Sequence, residues 1–416
     1  MKRVSLFPLI LVSFAQFLTM LIWFNYSAIL PLVKDEWELT SSQAGLILSS
    51  FQLGYVVSVL VLGYLSDRIN PRYIFIVSAF VAGLSGVLFG LYADGFWSGL
   101  IYRTLAGVGL GGIYVPGLKY LSGIYPLHSR GKTFGIYVGA LVVGSGSSLL
   151  FASPLIAFFG WREVVIITSI GSFIAAVMML IYRRDPMLLE NPLTISRSLL
   201  KKLVSNKKLV SMNAAYSGHM WELYAFWGWV GPFMIYITMK HGYSPQESQQ
   251  LGNLLAGMFI VVGALGTWFG GELSDRIGRV RVLKPLLMIG LVCSIAFGWL
   301  STTPLIVVII IGLIYGVTVA GDSPIYSVAI SELSENNTVG LALGIQQVLG
   351  YSITIISPSV FGFVLNLIPN ETYAWGSAFS ILALGSLFSL FILPKNEPIE
   401  NYHTIEKNVV ESTGKK

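Results

Sequence analysis

The stretch that decides the fold occurs twice in this 416-residue chain. The two copies lie 208 positions apart and read Gly63-Tyr64-Leu65-Ser66-Asp67-Arg68-Ile69-Asn70-Pro71-Arg72 and Gly271-Glu272-Leu273-Ser274-Asp275-Arg276-Ile277-Gly278-Arg279. Each copy ends a long apolar run and forms a short basic turn. Glycines repeat at almost the same offset, since Gly107 and Gly112 correspond to Gly316 and Gly321. These matches predict a duplicated chain made of two related halves.

The composition is typical of a protein that lies within a membrane. Hydrophobic residues make up 54% of the chain and charged residues only 11%, whereas a soluble domain has about 25% charged residues. Apolar runs of about 20 residues, long enough to cross a ~30 Å hydrocarbon core as a helix, recur along the sequence. The sequence therefore predicts an all-α membrane protein with twelve transmembrane helices. These are called segments 1 to 12 and are predicted at 5–31, 43–65, 72–92, 96–122, 133–158, 162–182, 210–238, 246–271, 282–301, 304–328, 339–366 and 372–393.

The order of the segments predicts two bundles and a loop. We expect an N-terminal six-helix bundle at 1–183, a cytoplasmic linker loop at 184–209, a C-terminal six-helix bundle at 210–394 and a disordered cytoplasmic tail at 395–416. With both termini inside the cell, all but four of the 26 Lys and Arg residues fall on the cytoplasmic side or in the linker. This asymmetry predicts a multi-pass protein of the plasma membrane with both termini in the cytoplasm. The net charge of +6 thus reports topology, and we expect no nucleic-acid partner.

These features resemble the major facilitator superfamily of secondary transporters. The resemblance rests on the doubled turn, the twelve segments, the pattern Arg103-x-x-x-Gly107-x-Gly109-x-Gly111 in segment 4 and Gly160-Trp161-Arg162 after segment 5. It covers nearly the whole chain and implies two pseudo-symmetric six-helix bundles that rock about a central solute site. It is specific for the fold and says little about the solute.

By the same resemblance, the doubled turn is a conformational latch between the halves that holds the outward-facing state. Its residues are Gly63, Asp67, Arg68, Arg72, Gly271, Asp275, Arg276, Arg279 and Glu332. We expect the glycines to allow close helix packing, and Glu332 to pair with Arg276, Arg279 or Arg281. The first copy has Asn70-Pro71 in place of Gly-Arg, and Gly123 stands where the second half has Glu332, so the second latch is expected to be the complete one. The alternative is an ordinary basic turn at the cytoplasmic face.

Three charged residues lie at membrane depth: Arg103, Glu222 and Asp322. An ionisable side chain in hydrocarbon costs several kcal/mol unless it faces a cavity or a partner, so each is a functional candidate. His219 lies three residues before Glu222 on the same helical face and is predicted to share a hydrogen bond with it. This pair is the candidate proton-coupling site, with a purely structural bond between helices as the alternative.

Several roles stay open for the other two charged residues. Arg103 is expected to clamp an anionic substrate or to pair with a carboxylate such as Glu222, and a structural salt bridge is the alternative. Asp322 lies between Gly321 and Ser323-Pro324, where a kink is predicted to free backbone groups that its carboxylate can satisfy. Coupling is the alternative for Asp322. Six further residues are predicted to line the cavity: Asn25, Tyr26, Trp227, Gln346, Gln347 and Tyr351.

The predicted function is transport of a small organic solute or anion by alternating access, coupled to protons. The chain contains no Gly-x-x-x-x-Gly-Lys-Ser/Thr loop, so an ion gradient is the expected energy source. We expect no cofactor, no metal and no enzymatic activity, because His219 and Glu222 alone do not form a catalytic cluster. A monomer in the lipid bilayer is expected. The alternatives are a proton-coupled multidrug efflux pump and a non-transporting sensor on the same fold.

Overall fold

A computed structural model describes residues 5–66, 68–125, 127–182, 201, 203–334 and 339–394, without the side chains of 127–132, 135 and 339–341. Asp67, most of the predicted linker and the predicted tail lie outside these residues. Within the described part of the chain, all regular secondary structure is helical.

All twelve predicted segments are helical, and five of them consist of two consecutive helices. The first half contains Phe7–Met20 with Asn25–Glu36, Ser41–Leu65, Pro71–Tyr92, Phe96–Leu110 with Tyr114–Ser122, Leu127–Phe158 and Trp161–Ile181. The second half contains Lys207–Lys240, Pro245–Ile277, Arg279–Phe297, Leu305–Gly321 with Ser323–Leu333, Val339–Thr354 with Ser357–Leu367, and Glu371–Ser380 with Ala383–Ile392. A short 3₁₀ turn, Leu300–Thr302, follows segment 9.

Segments 4 and 7 differ from the others in hydropathy. Among the described residues, the other ten segments each contain a helical stretch long and apolar enough to cross a membrane by length and composition. Segment 4 carries Arg103, and segment 7 carries His219 and Glu222, and all three side chains are buried. These polar side chains lower the hydropathy of the two segments, and the segments tolerate them because they face the protein interior.

The helix breaks have different local causes. Segment 10 is interrupted at Asp322, as predicted, because Pro324 occupies the first turn of the following helix and cannot continue the preceding one. Segment 11 is interrupted in the same way before Ser357-Pro358. Segment 1 is interrupted at residues 21–24, where the sequence contains no proline. The backbone groups freed at that break need a partner from elsewhere in the fold.

The two halves pack together along segments 5 and 8 and along segments 2 and 11. Glycines allow this close approach. A Cβ atom added at Gly45 in segment 2 would lie 2.7 Å from the carbonyl oxygen of Pro358 in segment 11. A Cβ atom at Gly146 in segment 5 would lie 3.1 Å from the carbonyl oxygen of Gly257 in segment 8. Larger residues at these positions would push the halves apart.

One end of the molecule holds residues 5 and 394 and is called the terminal end; the opposite end, with the loops at 37–40 and 241–244, is called the distal end. Seven described hydrogen bonds join the halves, and all lie at mid-depth or toward the distal end. They run from Ser27 to Gly228, Asn253 to Ala28, Thr354 to Gln52, Ser359 to Gly45 and Ser49, Ser153 to Gln250, and Gln246 to Ala157. The contact between the halves is thus closed at the distal end.

Candidate functional site

Arg103 lies on segment 4, and its side chain contacts segment 1 at the break between the two helices of that segment. Its Nη1 donates to the carbonyl oxygen of Ile22 at 3.1 Å and to Asn25 Oδ1 at 3.0 Å, and its Nη2 donates to the carbonyl oxygen of Trp23 at 3.1 Å. The side chain is 3% exposed. The guanidinium therefore binds the backbone groups that the break at residues 21–24 leaves without helical partners.

The surroundings of Arg103 belong to the first half. Asn25 donates to Thr168 Oγ1 at 3.0 Å, and the guanidinium lies over the rings of Phe51 and Tyr26, with its carbon 4.4 and 5.6 Å from their centroids. Asn25, Tyr26 and Arg103 line a small cavity between segments 1, 3, 4 and 6. Within the described ranges no carboxylate contacts Arg103, so the predicted pairing with Glu222 is wrong in this conformation. A buried cation here is stabilised by carbonyl groups and ring faces.

Glu222 lies between segments 7, 9 and 12 and is 2% exposed. Ser294 Oγ donates to its Oε1 at 3.1 Å, and Ser386 Oγ donates to its Oε2. The carboxylate also approaches Gly290, where an added Cβ atom would lie 3.3 Å from Oε1. No Lys or Arg among the described residues forms an ion pair with it. Glu222 is therefore a buried carboxyl that accepts hydrogen bonds from two serine hydroxyl groups.

His219 is bound to segment 10. Its Nδ1 lies 2.8 Å from Asp322 Oδ1, an ion-pair distance. Its Nε2 lies 2.7 Å from Ser323 Oγ. The predicted hydrogen bond between His219 and Glu222 is therefore wrong: residues three apart on a helix differ by about 60° in direction, and here they face different neighbouring segments. The predicted role of the Asp322 side chain toward freed backbone groups is also wrong, because it faces His219.

Five aromatic residues meet at mid-depth where the halves touch. They form the contact cluster, which consists of Trp23, Tyr55, Tyr224, Trp227 and Tyr351. Tyr55 from the first half and Tyr351 from the second have ring centroids 4.9 Å apart. Tyr224 donates its hydroxyl hydrogen to Tyr351 Oη at 3.1 Å. Two residues predicted to line the cavity, Trp227 and Tyr351, thus lie at the interface, together with three that the sequence did not single out.

The remaining predicted cavity residues lie within one half. Gln346 is buried and donates to Ser327 Oγ at 3.1 Å, so it joins segments 10 and 11 of the second half. Gln347 is half-buried on segment 11. Asn25 and Tyr26 belong to the cavity around Arg103.

Comparison with known proteins decides the family. The sequence matches the family described as Major Facilitator Superfamily over residues 12–358 and again over 223–408. The chain belongs to the major facilitator superfamily.

Individual superfamily members align along most of their length. A probable sulfoacetate transporter of Cupriavidus necator is 24% identical over 394 residues, which cover 89% of each chain. The hexuronate transporter of Bacillus subtilis is 24% identical over 390 residues, again covering 89% of each. Among solved structures, a bacterial homolog of the human lysosomal transporter Spinster, in an inward-facing and occupied conformation, has a TM-score of 0.76 at 17% identity, covering 94% of this chain and 96% of that one. The predicted fold, the multi-pass membrane character and the assignment as a transporter are confirmed.

In this superfamily member, the second copy of the repeated turn forms an ion-pair network at the terminal end. Arg279 Nη2 and Nε donate to Glu332 at 2.7 and 3.3 Å, and its Nη1 donates to Ser274 Oγ at 2.7 Å and to Asp275. Of the three arginines considered as partners of Glu332, Arg279 makes the bidentate contact. Arg276 pairs with Glu272 on the exposed helix surface. All of these residues lie in the second half.

The first copy of the repeated turn has different contacts. Arg72 is buried and donates to the carbonyl oxygens of Met179 and Leu180 at the end of segment 6, at 2.7 and 2.6 Å. Arg68 is exposed and lies over the Tyr64 ring at 4.3 Å. Asp67 lies outside the described residues. Arg72 therefore caps a helix end of its own half.

The expected close packing at the latch glycines is wrong in this conformation. Among the described atoms, a Cβ atom added at Gly271 would have no neighbour within 4 Å, and one at Gly63 would meet only Val115 Cγ1 at 3.7 Å. The physical reason is their position at the terminal end, where none of the described hydrogen bonds between the halves lies.

Several residues that complete the sites escaped the sequence reasoning. Ser294 and Ser386 are serines within apolar runs, and nothing in the sequence distinguishes them, as carboxylate partners, from serines that only pack between helices. One feature is common to Trp23, Tyr55 and Tyr224. Each is an aromatic residue with an N–H or O–H group near the middle of a segment, and that group needs a hydrogen-bond partner that an apolar residue would not need.

Proposed function

We propose that this chain is a secondary transporter that moves a small organic anion across the plasma membrane by alternating access, coupled to protons. The observation that carries the proposal is Arg103, a cation that is 3% exposed at membrane depth and has no carboxylate partner among the described residues. Burying a positive charge at membrane depth costs free energy, and a negatively charged solute would compensate that charge. The names of two aligned relatives, a probable sulfoacetate transporter and a hexuronate transporter, denote proteins for organic anions.

The closed distal end supports the alternating-access part of the proposal. With the terminal end placed in the cytoplasm by the distribution of Lys and Arg, the hydrogen bonds between the halves close the route to the outside. Segments 1–6 and 7–12 would act as two bundles, 1–183 and 210–394, joined by the cytoplasmic linker 184–209 and followed by the cytoplasmic tail 395–416. We infer a monomer as the working unit, without cofactor or enzymatic step.

Glu222 is the proposed proton site. Its carboxyl lacks a cationic partner in the described part of the chain, and two serine hydroxyl groups hold it. Taking up a proton there removes a charge from an apolar setting, and losing it restores the charge. Since Glu222 lies on segment 7 together with Tyr224 and Trp227 of the contact cluster, a change at the carboxyl can move the segment that also contacts the other half.

The test is uptake by proteoliposomes under an imposed pH gradient, with radiolabelled D-glucuronate and sulfoacetate as probes. We expect Glu222→Gln to abolish gradient-driven uptake while leaving exchange of solute across the membrane intact, because the amide cannot exchange a proton. Glu371→Gln is the matched control, since that carboxylate is 67% exposed in its contact with Lys240.

Three results would count against the proposal. Unchanged gradient-driven uptake in Glu222→Gln with normal exchange would remove Glu222 as the proton site. Wild-type liposomes that take up neither anion would overturn organic-anion transport. Transport of ethidium in place of both anions would favour the multidrug efflux alternative.

A further inference from the structure

Two buried indole groups at the contact between the halves have unmet hydrogen-bonding capacity. Trp23 is 2% exposed and Trp227 is 3% exposed. The Nε1 atom of each has no hydrogen-bond acceptor among the described atoms. Buried donors without partners are rare in native proteins, and each requires an explanation. An oxygen atom of a bound solute would provide the missing acceptor.

The two indole rings belong to one aromatic surface. Both contact Tyr224, with ring centroids 6.2 Å from Trp23 and 5.7 Å from Trp227. Tyr351 lies 5.5 Å from Tyr224 and 4.9 Å from Tyr55. Trp23 and Tyr55 come from the first half, and the other three rings come from the second. A solute between the halves would therefore meet aromatic faces on both sides.

One positive charge lies directly behind this surface. Arg103 donates to the carbonyl oxygen of Trp23 at 3.1 Å, and its guanidinium lies 4.4 Å from the Phe51 ring, which packs 5.2 Å from the Trp23 ring. The other buried basic group at mid-depth in the described ranges, His219, faces Asp322 at 2.8 Å. Among the described residues, the contact cluster thus has a single neighbouring cation that no carboxylate neutralises.

We propose that the contact cluster binds a hydroxylated monocarboxylate, of the sugar-acid class, in preference to a compact dianion. This inference rests on the proposed transport of organic anions and names the solute within that group. The C–H faces of a sugar-like carbon chain pack on aromatic rings, and its hydroxyl and carboxylate oxygens accept hydrogen bonds from the two indoles. Arg103 balances one negative charge, whereas the second charge of a dianion would be desolvated without a partner.

The rings of Tyr55 and Tyr351 touch in this conformation, so the solute enters when the halves separate at their level. Trp23 and Trp227 would then face the opened space from opposite halves. Binding would bridge the two bundles through one indole of each. The solute itself therefore replaces the direct ring contact between the halves.

The experiment measures binding of D-glucuronate, sulfoacetate and D-glucose to purified protein by isothermal titration calorimetry. Trp23→Phe and Trp227→Phe keep an aromatic ring and remove the N–H donor. We expect each to weaken D-glucuronate binding by roughly tenfold, the effect of losing one hydrogen bond to a charged or polar solute. Trp229→Phe is the matched control, because its Nε1 donates to the carbonyl oxygen of Pro358 at 3.0 Å outside the cluster, and its affinity should match that of wild type within about twofold.

The outcomes separate this inference from the proposed function. If wild type binds D-glucuronate and both cluster variants bind it equally well, the cluster is not the site, while organic-anion transport stands. Tighter binding of sulfoacetate or of D-glucose than of D-glucuronate overturns the solute class. Wild type that binds neither anion overturns both proposals. If a variant does not fold, wild type labelled with 5-fluorotryptophan decides. We expect D-glucuronate to shift the ¹⁹F resonances of Trp23 and Trp227 among those of the ten tryptophans. A spectrum in which no resonance shifts overturns the inference.

Discussion

The two copies of the repeated turn begin alike and end differently. In both, a buried serine donates to the carbonyl oxygen of the motif glycine: Ser66 to Gly63 at 2.6 Å and Ser274 to Gly271 at 2.8 Å. Beyond that point, Arg72 of the first copy binds the end of segment 6, and Arg279 of the second copy binds Glu332 in the last helical turn of segment 10. The same sequence motif therefore supports two different contacts.

A single proline accounts for much of this difference. At the offset of 208, Pro71 stands where Arg279 is found, so the arginine of the first copy comes one position later in the helix. One position turns a side chain by about 100° around a helix. Arg72 accordingly faces segment 6, and the position equivalent to Glu332 is Gly123, which has no carboxylate to offer. Duplicated sequence thus need not mean duplicated chemistry.

The largest expected effect concerns the backbone of the second turn. Gly278 has φ 107° and ψ 152°, a region that residues with side chains rarely occupy, whereas Asn70 at the same place in the first turn has φ −50°. We expect Gly278→Ala to destabilise the protein by about 1–3 kcal/mol through backbone strain. Asn70→Ala should cost about 1 kcal/mol through loss of the cap on Arg72 N. Thermal unfolding in detergent measures both, and a smaller loss in Gly278→Ala would contradict the assigned strain.

The next effect concerns the ion pair between Arg279 and Glu332. Their side chains are 12% and 9% exposed, so a double-mutant cycle with Arg279→Gln and Glu332→Gln should give a coupling energy of about 1.5 kcal/mol. The control cycle uses Arg276 and Glu272, whose side chains are 71% and 45% exposed, and should give at most about 0.5 kcal/mol. Reversible unfolding in mixed micelles supplies the energies.

Equal coupling in the two cycles would mean that burial adds nothing to the contact at Glu332. The proposed latch role has its own readout. If the second turn controls the conformation of the transporter, Asp275→Asn should change the accessibility of engineered cysteines at the terminal and distal ends. Unaltered accessibility at both ends would remove the latch role while leaving the structural ion pair in place.

The smallest expected effect tests the incomplete first copy. Gly123→Glu restores the acidic position of the second half, but Arg72 is already bound to segment 6. We expect the free energy of unfolding to change by no more than about 0.5 kcal/mol, as for an ordinary surface substitution. A gain comparable to the coupling energy of Arg279 and Glu332 would show that Arg72 can leave its contact, and the comparison between the two turns would fail.

The fold was largely predictable because only a few backbone structures can cross the hydrocarbon core of a membrane. Apolar runs of the length of a membrane are helices, and their number and duplication follow directly from the sequence. The break at Asp322 was also predictable, since Pro324 cannot continue the preceding helix. The break at residues 21–24 was not, because it has no proline and depends on Arg103 from another segment.

The candidate sites were predictable as residues and less so as contacts. Glu222 and His219 are visible as polar residues in an apolar segment, and both are buried as expected. Their partners lie far away in the chain: Ser294 and Ser386 are 72 and 164 residues from Glu222, and Ser323 is 104 residues from His219. Helical spacing shows which side chains share a face, but the packing of other segments determines what that face meets.

The hydrogen bond from Arg103 to Ile22 joins residues that lie 81 positions apart in the sequence. This separation sets an order of events during synthesis of the chain. A ribosome adds about 5–20 residues each second, so segment 1 emerges on the order of ten seconds before the guanidinium that binds its open turn. During that interval, the carbonyl groups of residues 22 and 23 must be hydrated or held by the insertion machinery. Segment 1 can reach its final place in the lipid only after segment 4 has been made.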